Sequence, residues 1–559
     1  MEETNVALKA EKEYRSNIEE AQDYIEHFDI LETITNVGND EVFTPKKVCE
    51  QMLDSLPDEV WHHPEYKWLN PCSKNGIFER EIALRLDEGL KDIIPDELTR
   101  RKHILQEMVF SIGLTKFTSE VARRTLYYCN QANRKCDGIK GEDGHFVNGF
   151  AIGNGTWFID PEGNIKNPTA EHVWTNENKC KYCGANRLIK DDKNNEILSK
   201  YSDPTQIEHY AYEFIHHENT ESLKARLQKF FGRKNMKFDI IIGNPPYQLS
   251  DGGAGASAKP IYNNFIEQGL ELDPEYLCMI IPSRWYAGGK GLDDFRYKFL
   301  HNRHIQKLVD FPNAKDCFPS SSIGGGVCYF LYSKKYTGDC NFISRNATSI
   351  LSQSKRDLSK HDILLRYDQA ETILDKINKK QNKRISSLLF KRNAFGIQSS
   401  VRGKNQKDSD RNIKLLSSDG ISFISINDVV KNQKVVPAFK VFISKLTAEH
   451  ANEPSADGKY KVLSKSGILN PGEVCTESYL IFAPFSKEDS ALNLLNYLHT
   501  KFVRLLVLLC VSSINIVWDS FQFVPLMDLS RSWTDQDLYK YFGLDSNEIS
   551  FIESLIRSY

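Results

Sequence analysis

Four consecutive residues, Asn244, Pro245, Pro246 and Tyr247, follow the apolar run 238-FDIIIG-243. Proline fixes φ and removes a backbone donor, so this corner is stiff. Asn244 and Pro245 present a side-chain carbonyl and a main-chain carbonyl in a fixed arrangement, Pro246 holds the turn, and Tyr247 offers a flat face. Two rigid acceptors beside an aromatic plane suit an exocyclic amino group on a planar base. A plain strand-to-loop corner would account for Pro-Pro alone, but not for an amide before it and a ring after it.

A second constellation is 180-CKYC-183, followed by Gly184. Thiolates at that spacing converge on one tetrahedral ion. A second pair of ligands is required, and Cys136 and His172 are the first choice, with Cys129 the alternative for either place. The surrounding Gly-, Asn- and Lys-rich segment has little core of its own, so a structural zinc is expected there. A third feature is the run Lys376 to Lys407, with ten basic residues and no acidic one, although the whole chain carries a net charge of -3. Such a local field attracts phosphates. Within it, Lys391, Arg392, Phe395, Arg402 and Lys404 interleave a ring with cations, as DNA-binding loops do, and Lys259 is a further candidate beside the corner.

The elements that position these residues alternate as βα units. Apolar runs at 68-WL-69, 109-VFSIGL-114, 211-AYEFIH-216, 238-FDIIIG-243, 276-YLCMIIP-282, 305-IQKLVDF-311 and 326-GVCYFLYSKK-335 read as strands. Helical stretches lie between several of them, including 79-EREIALRLDEGL-90 and 118-TSEVARRTLYY-128. Thr44 is expected to cap a helix whose first residue is Pro45. The fold class is therefore α/β, a doubly wound sheet, in which ligands bind beyond the carboxyl ends of the strands. At 559 residues more than one domain is expected. The boundaries expected are a helical segment at 1–40, the α/β domain at 41–350 with a zinc-binding insertion at 129–200, an α+β domain at 380–530 and a helical tail at 531–559. The most apolar run, 505-LLVLLCVSSINIVW-518, is shorter than the roughly 20 residues of a membrane span and reads as core strand or buried helix. With twelve dispersed cysteines and an acidic, polar start at Met1-Glu2-Glu3, a soluble cytoplasmic protein without a membrane partner is expected.

The stretch 239-DIIIGNPPY-247 resembles motif IV of S-adenosylmethionine-dependent amino-methyltransferases, and specifically the gamma-class N6-adenine DNA methyltransferases of the restriction–modification type. In the same order, 43-FTPKKVCEQML-53 resembles motif X and 69-LNPCSKNGIF-78 resembles motif I. The resemblance implies a Rossmann-like mixed sheet, S-adenosylmethionine as cofactor, and a flipped adenine of double-stranded DNA at Asn244, Pro245, Pro246 and Tyr247. It implies cofactor contacts from Phe43, Thr44, Pro45, Asn70, Pro71, Cys72, Gly76, Phe78, Thr115 and Asn244, and from Glu213 and Phe214 in the place of motif III. The C-terminal domain becomes a target-recognition domain. A separate restriction endonuclease or defence subunit becomes a partner, since no nuclease motif is evident. Three positions depart from the pattern: Asn70 stands where the family has Asp, Lys74 where it has its first Gly, and Thr115 where an acidic residue grips the ribose. A silent DNA-binding homologue and an RNA or protein-glutamine methyltransferase stay open as alternatives.

Overall fold

The computed structural model describes residues 42–128, 162–191, 193–203, 210–249, 259–289, 291–321, 323–449, 454–455, 457–511 and 514–559. The expected N-terminal helix, both Cys129 and Cys136, and most of the loop after the proline corner lie outside the described residues.

Strands β1 (Trp68–Ser73), β2 (Val109–Gly113) and β3 (Ile165–Lys166) open the chain, and β4 (Leu188–Lys190) pairs with β5 (Glu196–Leu198) as a separate ribbon. Then come β6 (Ile240–Gly243), β7 (Tyr276–Pro282), β8 (Ile305–Phe311), β9 (Val327–Ser333), β10 (Cys340–Arg345) and β11 (Ile350–Arg356). Nine of these form one sheet in the order β11-β10-β8-β9-β7-β6-β1-β2-β3. From β7 through β6 and β1 to β3 the pairing is parallel, whereas β9 runs antiparallel to both its neighbours. The sheet is thus mixed, as expected.

Its central strands are apolar because both faces are covered. Along β6, Ile241 points into one core, with Leu69, Leu277 and Phe265. Ile240 and Ile242 point into the other, with Trp68, Cys278 and Ile280. Each fully buried side chain of this size contributes on the order of 2 kcal/mol. The aliphatic run therefore holds the strand, and the residues just past Gly243 are left to serve chemistry.

The expected strand at 211–216 is not one: Tyr210–Ile215 forms a 3-10 helix with Ala211, Tyr212 and Phe214 buried. A short, mostly apolar run such as 211–216 fits a buried helical turn as well as a strand. The apolar run near 505 is the buried helix Lys501–Leu509.

Beyond the sheet, β12 (Ile413–Ser417), β13 (Gly420–Ile424), β14 (Phe439–Ser444), β15 (Ser466–Leu469), β16 (Glu473–Cys475) and β17 (Tyr479–Phe485) form two three-stranded sheets. A helical core covers the sheet of β14, β15 and β17, whose other face packs on the sheet of β12, β13 and β16. It begins at Ile363 and includes Trp533, Leu538, Phe542, Ile552 and Ile556. The second core thus starts earlier than residue 380 and takes in the C-terminal helices. One buried ion pair ties it to the large sheet, Asp310 Oδ2 to Arg366 Nε at 2.8 Å, with Ser283 Oγ donating to Asp310 Oδ1 at 3.1 Å.

Candidate active site and metal centre

The proline corner sits where the topology predicts, at the carboxyl end of β6 and beside β1. Asn244 is 2 % exposed. Its Nδ2 donates to Val42 O at 3.0 Å and faces Thr44 Oγ1 at 3.1 Å. Val42 O can only accept, which fixes the orientation of the amide. Asn244 Oδ1 is buried without a partner. Buried acceptors are normally satisfied, so an orphan in a cleft marks a place for a donor from a ligand. The Tyr247 hydroxyl is a second buried orphan, and burial, then the thiols of Cys317, Cys328 and Cys72, push its pKa up.

Thr44 therefore does not cap the helix Lys46–Leu53; Pro45 is the residue at the cap, and no side chain bonds there. The Thr44 hydroxyl instead meets the corner.

A cleft runs from the corner along the loop after β1. It is lined by Thr44, Asn70, Cys72, Lys74, Gly76, Phe78, Glu79 and Asn244, among others. Gly76 has φ +82°, and a Cβ there would stand 2.8 Å from Ala122 Cα, so this position in the loop requires glycine. Asn70 is held from both ends: its Oδ1 accepts from Cys72 N at 3.1 Å and its Nδ2 donates to Glu79 Oε1 at 2.9 Å. A Cβ on Gly243 would stand 2.5 Å from Asn70 Oδ1, so the strand leading to the proline corner packs directly on β1 where its loop begins. Burial pushes the Cys72 thiol up to about 12, keeping it neutral. Lys74 turns its ammonium to Val42 O at 2.9 Å, the carbonyl that also holds Asn244.

Three expected cofactor contacts are engaged elsewhere. The Thr115 hydroxyl accepts from Thr118 N and caps the helix Lys116–Arg123 in a capping box. Glu213 accepts from Arg226 Nε at 2.7 Å through one oxygen and from Glu171 N at 3.3 Å through the other. Phe214 is buried and stacks on Phe265. Glu79, by contrast, lines the cleft. It was hidden in a run that reads only as helix, although its place in the first turn after the loop was the available signal.

Of the four expected metal ligands, His172, Cys180 and Cys183 converge; Cys136 lies outside the described residues. His216 completes the group, and the four ligand atoms all lie within 4.8 Å of one another. Cys183 Sγ is 3.6 Å from His172 Nδ1, and Cys180 Sγ is 4.0 Å from His216 Nε2. Such spacings suit the edges of a tetrahedron around zinc, about 3.5 Å by bond lengths. His216 Nδ1 lies 3.1 Å from Glu171 O, a contact that turns Nε2 toward the sulfurs. The knuckle backbone is closed by Gly184 N to Cys180 O at 2.9 Å and by Ala185 N to Cys183 Sγ at 3.4 Å.

The basic run looks different in space. Arg402 pairs with Asp419 at 2.6 Å, Lys404 with Asp408 at 3.5 Å and Arg392 with Glu477 at 3.7 Å. Lys391 Nζ sits 5.7 Å over the Trp518 ring. These cations are exposed, but acidic partners just past the run (Asp408, Asp419) and far from it in sequence (Glu477) offset part of their charge. Phe395 is 1 % exposed within a core containing Ile397, Val429 and Ile481, so its ring cannot reach a groove. Lys259 lies against the metal knuckle: a Cβ on Gly184 would be 2.8 Å from its Nζ.

The family model described as Eco57I restriction-modification methylase matches residues 107–318. An uncharacterized adenine-specific methylase from Mycoplasma pneumoniae (strain ATCC 29342 / M129) is 46% identical over 343 residues, which is 59% of this chain and 76% of that protein. Similar solved structures include a nuclease-deletion mutant of the type ISP restriction-modification enzyme LlaGI in complex with a DNA substrate mimic. It is 10% identical and covers 86% of this chain and 46% of its own, with a TM-score of 0.43. A type I restriction-modification methyltransferase subunit from Streptococcus thermophilus is 14% identical over 60% of this chain and 52% of its own, at a TM-score of 0.26. The chain spans about half the length of these solved structures.

Proposed function

The chain belongs to the adenine-specific methylases of the Eco57I restriction–modification type, and we propose that within that family it is a site-specific DNA adenine-N6 methyltransferase. Its substrate is double-stranded DNA with one adenine flipped into the cleft. Its place is the modification arm of a cytoplasmic restriction–modification or phage-defence system, beside a separate endonuclease or defence subunit. Among the described residues no helix is long and apolar enough to cross a membrane.

The observation that carries the reading is the buried, unpartnered Oδ1 of Asn244. A flipped adenine would offer it one N6 hydrogen, with the Pro245 carbonyl taking the other. Accepting both hydrogens draws the amino nitrogen toward sp³ and turns its lone pair outward. Tyr247 would stack on the base. The residues from Thr44 to Glu79 suit the cofactor in chemistry, because they adjoin the corner and include a second unpartnered acceptor, Glu79 Oε2. S-adenosylmethionine, when bound there, supplies the methyl group on a sulfonium. What the protein contributes is position: Val42 O and Thr44 Oγ1 fix the Asn244 amide, and Asn70 braces the wall between the two ligands. No general base is required before transfer: the N6–CH3 bond forms as the S–CH3 bond breaks, S-adenosylhomocysteine leaves, and the cationic N6 then loses its acidic proton to solvent.

The test offers labelled S-adenosylmethionine with duplex DNA, RNA or a glutamine-bearing peptide. Transfer to duplex DNA alone supports the reading. Transfer to RNA or peptide in preference, or tight DNA binding with no transfer, contradicts it.

We further propose that the group His172, Cys180, Cys183 and His216 holds one structural zinc. Four protein ligands leave no open position for catalysis. The ion would staple the insertion to the segment carrying His216, and Asn264 Nδ2 donating to Tyr182 O at 3.4 Å extends the same contact toward the substrate side. For DNA contact outside the cleft, exposed Lys391, Arg392, Arg402 and Lys404 are the residues proposed.

A further inference from the structure

Glu79 is an unusual occupant of the cleft. It sits in the first turn of the helix Ile77–Gly89, which starts at Gly76. Only 1 % of it is exposed. Its Oε1 accepts twice, from Asn70 Nδ2 at 2.9 Å and from Ser111 Oγ at 2.6 Å. These bonds lock the carboxyl group in one orientation, and its Oε2 is buried with no partner. Leaving a carboxylate oxygen unpaired in a dry site is costly, so its retention calls for a donor that arrives with a ligand. The helix N-terminus stabilises the charge but supplies no N–H to this oxygen.

We infer that Glu79 is a binding residue for the α-ammonium of the cofactor's amino-acid end, supplying the carboxylate that Asn70 lacks. The inference rests on the proposed function, since it presumes a cofactor of that kind in the cleft. Such a cofactor carries two cationic centres. A sulfonium has no hydrogen to donate, whereas an ammonium has three, so of the two cationic centres only the ammonium can make a charge-assisted hydrogen bond to Oε2, a stronger bond than the neutral ribose hydroxyls or the base would make. Asn70 and Glu79 act as a pair. The Asn70 amide, on β1, donates to Glu79 Oε1 and accepts from Cys72 N, and this leaves Glu79 Oε2 as the one free oxygen of the pair. An acidic residue at position 70 would face Glu79 as a like charge at hydrogen-bond distance, which is a physical reason for asparagine at that place.

Glu79→Gln isolates this role, because the glutamine oxygen still accepts from Asn70 and Ser111 while an NH2 replaces the free oxygen. Calorimetric titration of the full chain would use two probes, S-adenosylhomocysteine and its deamino analogue, which lacks only the α-amino group. The expected result is a loss of tenfold to a hundredfold for S-adenosylhomocysteine and less than about twofold for the deamino analogue. Equal losses for both probes, or no loss for either, would overturn the inference and leave the proposed function standing. Wild-type protein that binds neither probe would overturn the cofactor assignment itself, and this inference with it. Should Glu79→Gln not fold, the wild type decides alone: a preference for S-adenosylhomocysteine of tenfold or more is expected, and no preference overturns the role.

Discussion

Gly243→Ala is the sharpest probe of how the substrate corner and the cofactor loop depend on each other. The added Cβ would lie 2.5 Å from Asn70 Oδ1 and 3.2 Å from Cys72 Sγ. To reach ordinary contact the Asn70 side chain must retreat by about 1 Å. That displacement breaks the bond from Cys72 N to Asn70 Oδ1 and strains the one from Asn70 Nδ2 to Glu79. Overpacking and an unsatisfied buried group each cost roughly 1–3 kcal/mol, so about 3 kcal/mol of destabilisation is expected. For the α/β domain this lowers Tm by roughly 5–10 °C. Because Asn70 and Glu79 both line the cleft, affinity for S-adenosylhomocysteine should fall by about tenfold or more. Thermal melts with and without that ligand, read for wild type and variant together, give both quantities. A variant with wild-type Tm and wild-type ligand shift would refute the packing argument.

Three further outcomes are expected. His216→Ala should lower the zinc content from about one ion per chain to a small fraction by elemental analysis, and a strong chelator should lower the Tm of wild type but not of the variant; a metal-free wild type would contradict the site. Asp310→Asn breaks the buried pair with Arg366 and should destabilise the joint between the large sheet and the C-terminal core by about 3–5 kcal/mol, seen as a lower urea midpoint. The His499 ring, bonded to Ser466 Oγ at 2.7 Å and stacked on Tyr559, is held down at about 4 by burial and then by Arg504 and Lys461, against 6.5 in the unfolded chain. Between those two pH values the unfolded chain binds the extra proton, so stability falls as pH drops through that window, by roughly 1–2 kcal/mol after allowance for solvent screening. His499→Phe should abolish that part of the pH dependence of urea unfolding, and an unchanged slope would contradict it.

The corner was legible in the sequence because its chemistry is local: Asn244 to Tyr247 are consecutive, and the strand before them is apolar for a reason the sheet confirms. The knuckle was legible in part for the same reason. Cys180 and Cys183 are three apart, whereas His216 reaches them only through the fold, and nothing in its own neighbourhood marks it as a ligand. Residue type says nothing of prior engagement, so the sequence did not show that the Thr115 hydroxyl caps a helix or that the Glu213 carboxylate holds Arg226. The basic run misled in the opposite way. Its acidic partners Asp419 and Glu477 come from later in the chain, and Phe395 turned inward to a core that only the tertiary structure reveals. Glu79 was missed because helical periodicity accounts for every residue around it.

The central claim is that Asn244 Oδ1 waits for an amino hydrogen of adenine. It is tested most directly by digesting DNA after reaction with S-adenosylmethionine and identifying the methylated nucleoside by mass spectrometry. N6-methyldeoxyadenosine formed by wild type, with loss of at least a thousandfold in rate for Asn244→Ala and S-adenosylhomocysteine affinity kept within about tenfold, is the predicted result. Methylation of another base, or an Asn244→Ala variant that still methylates adenine at the wild-type rate, would contradict it.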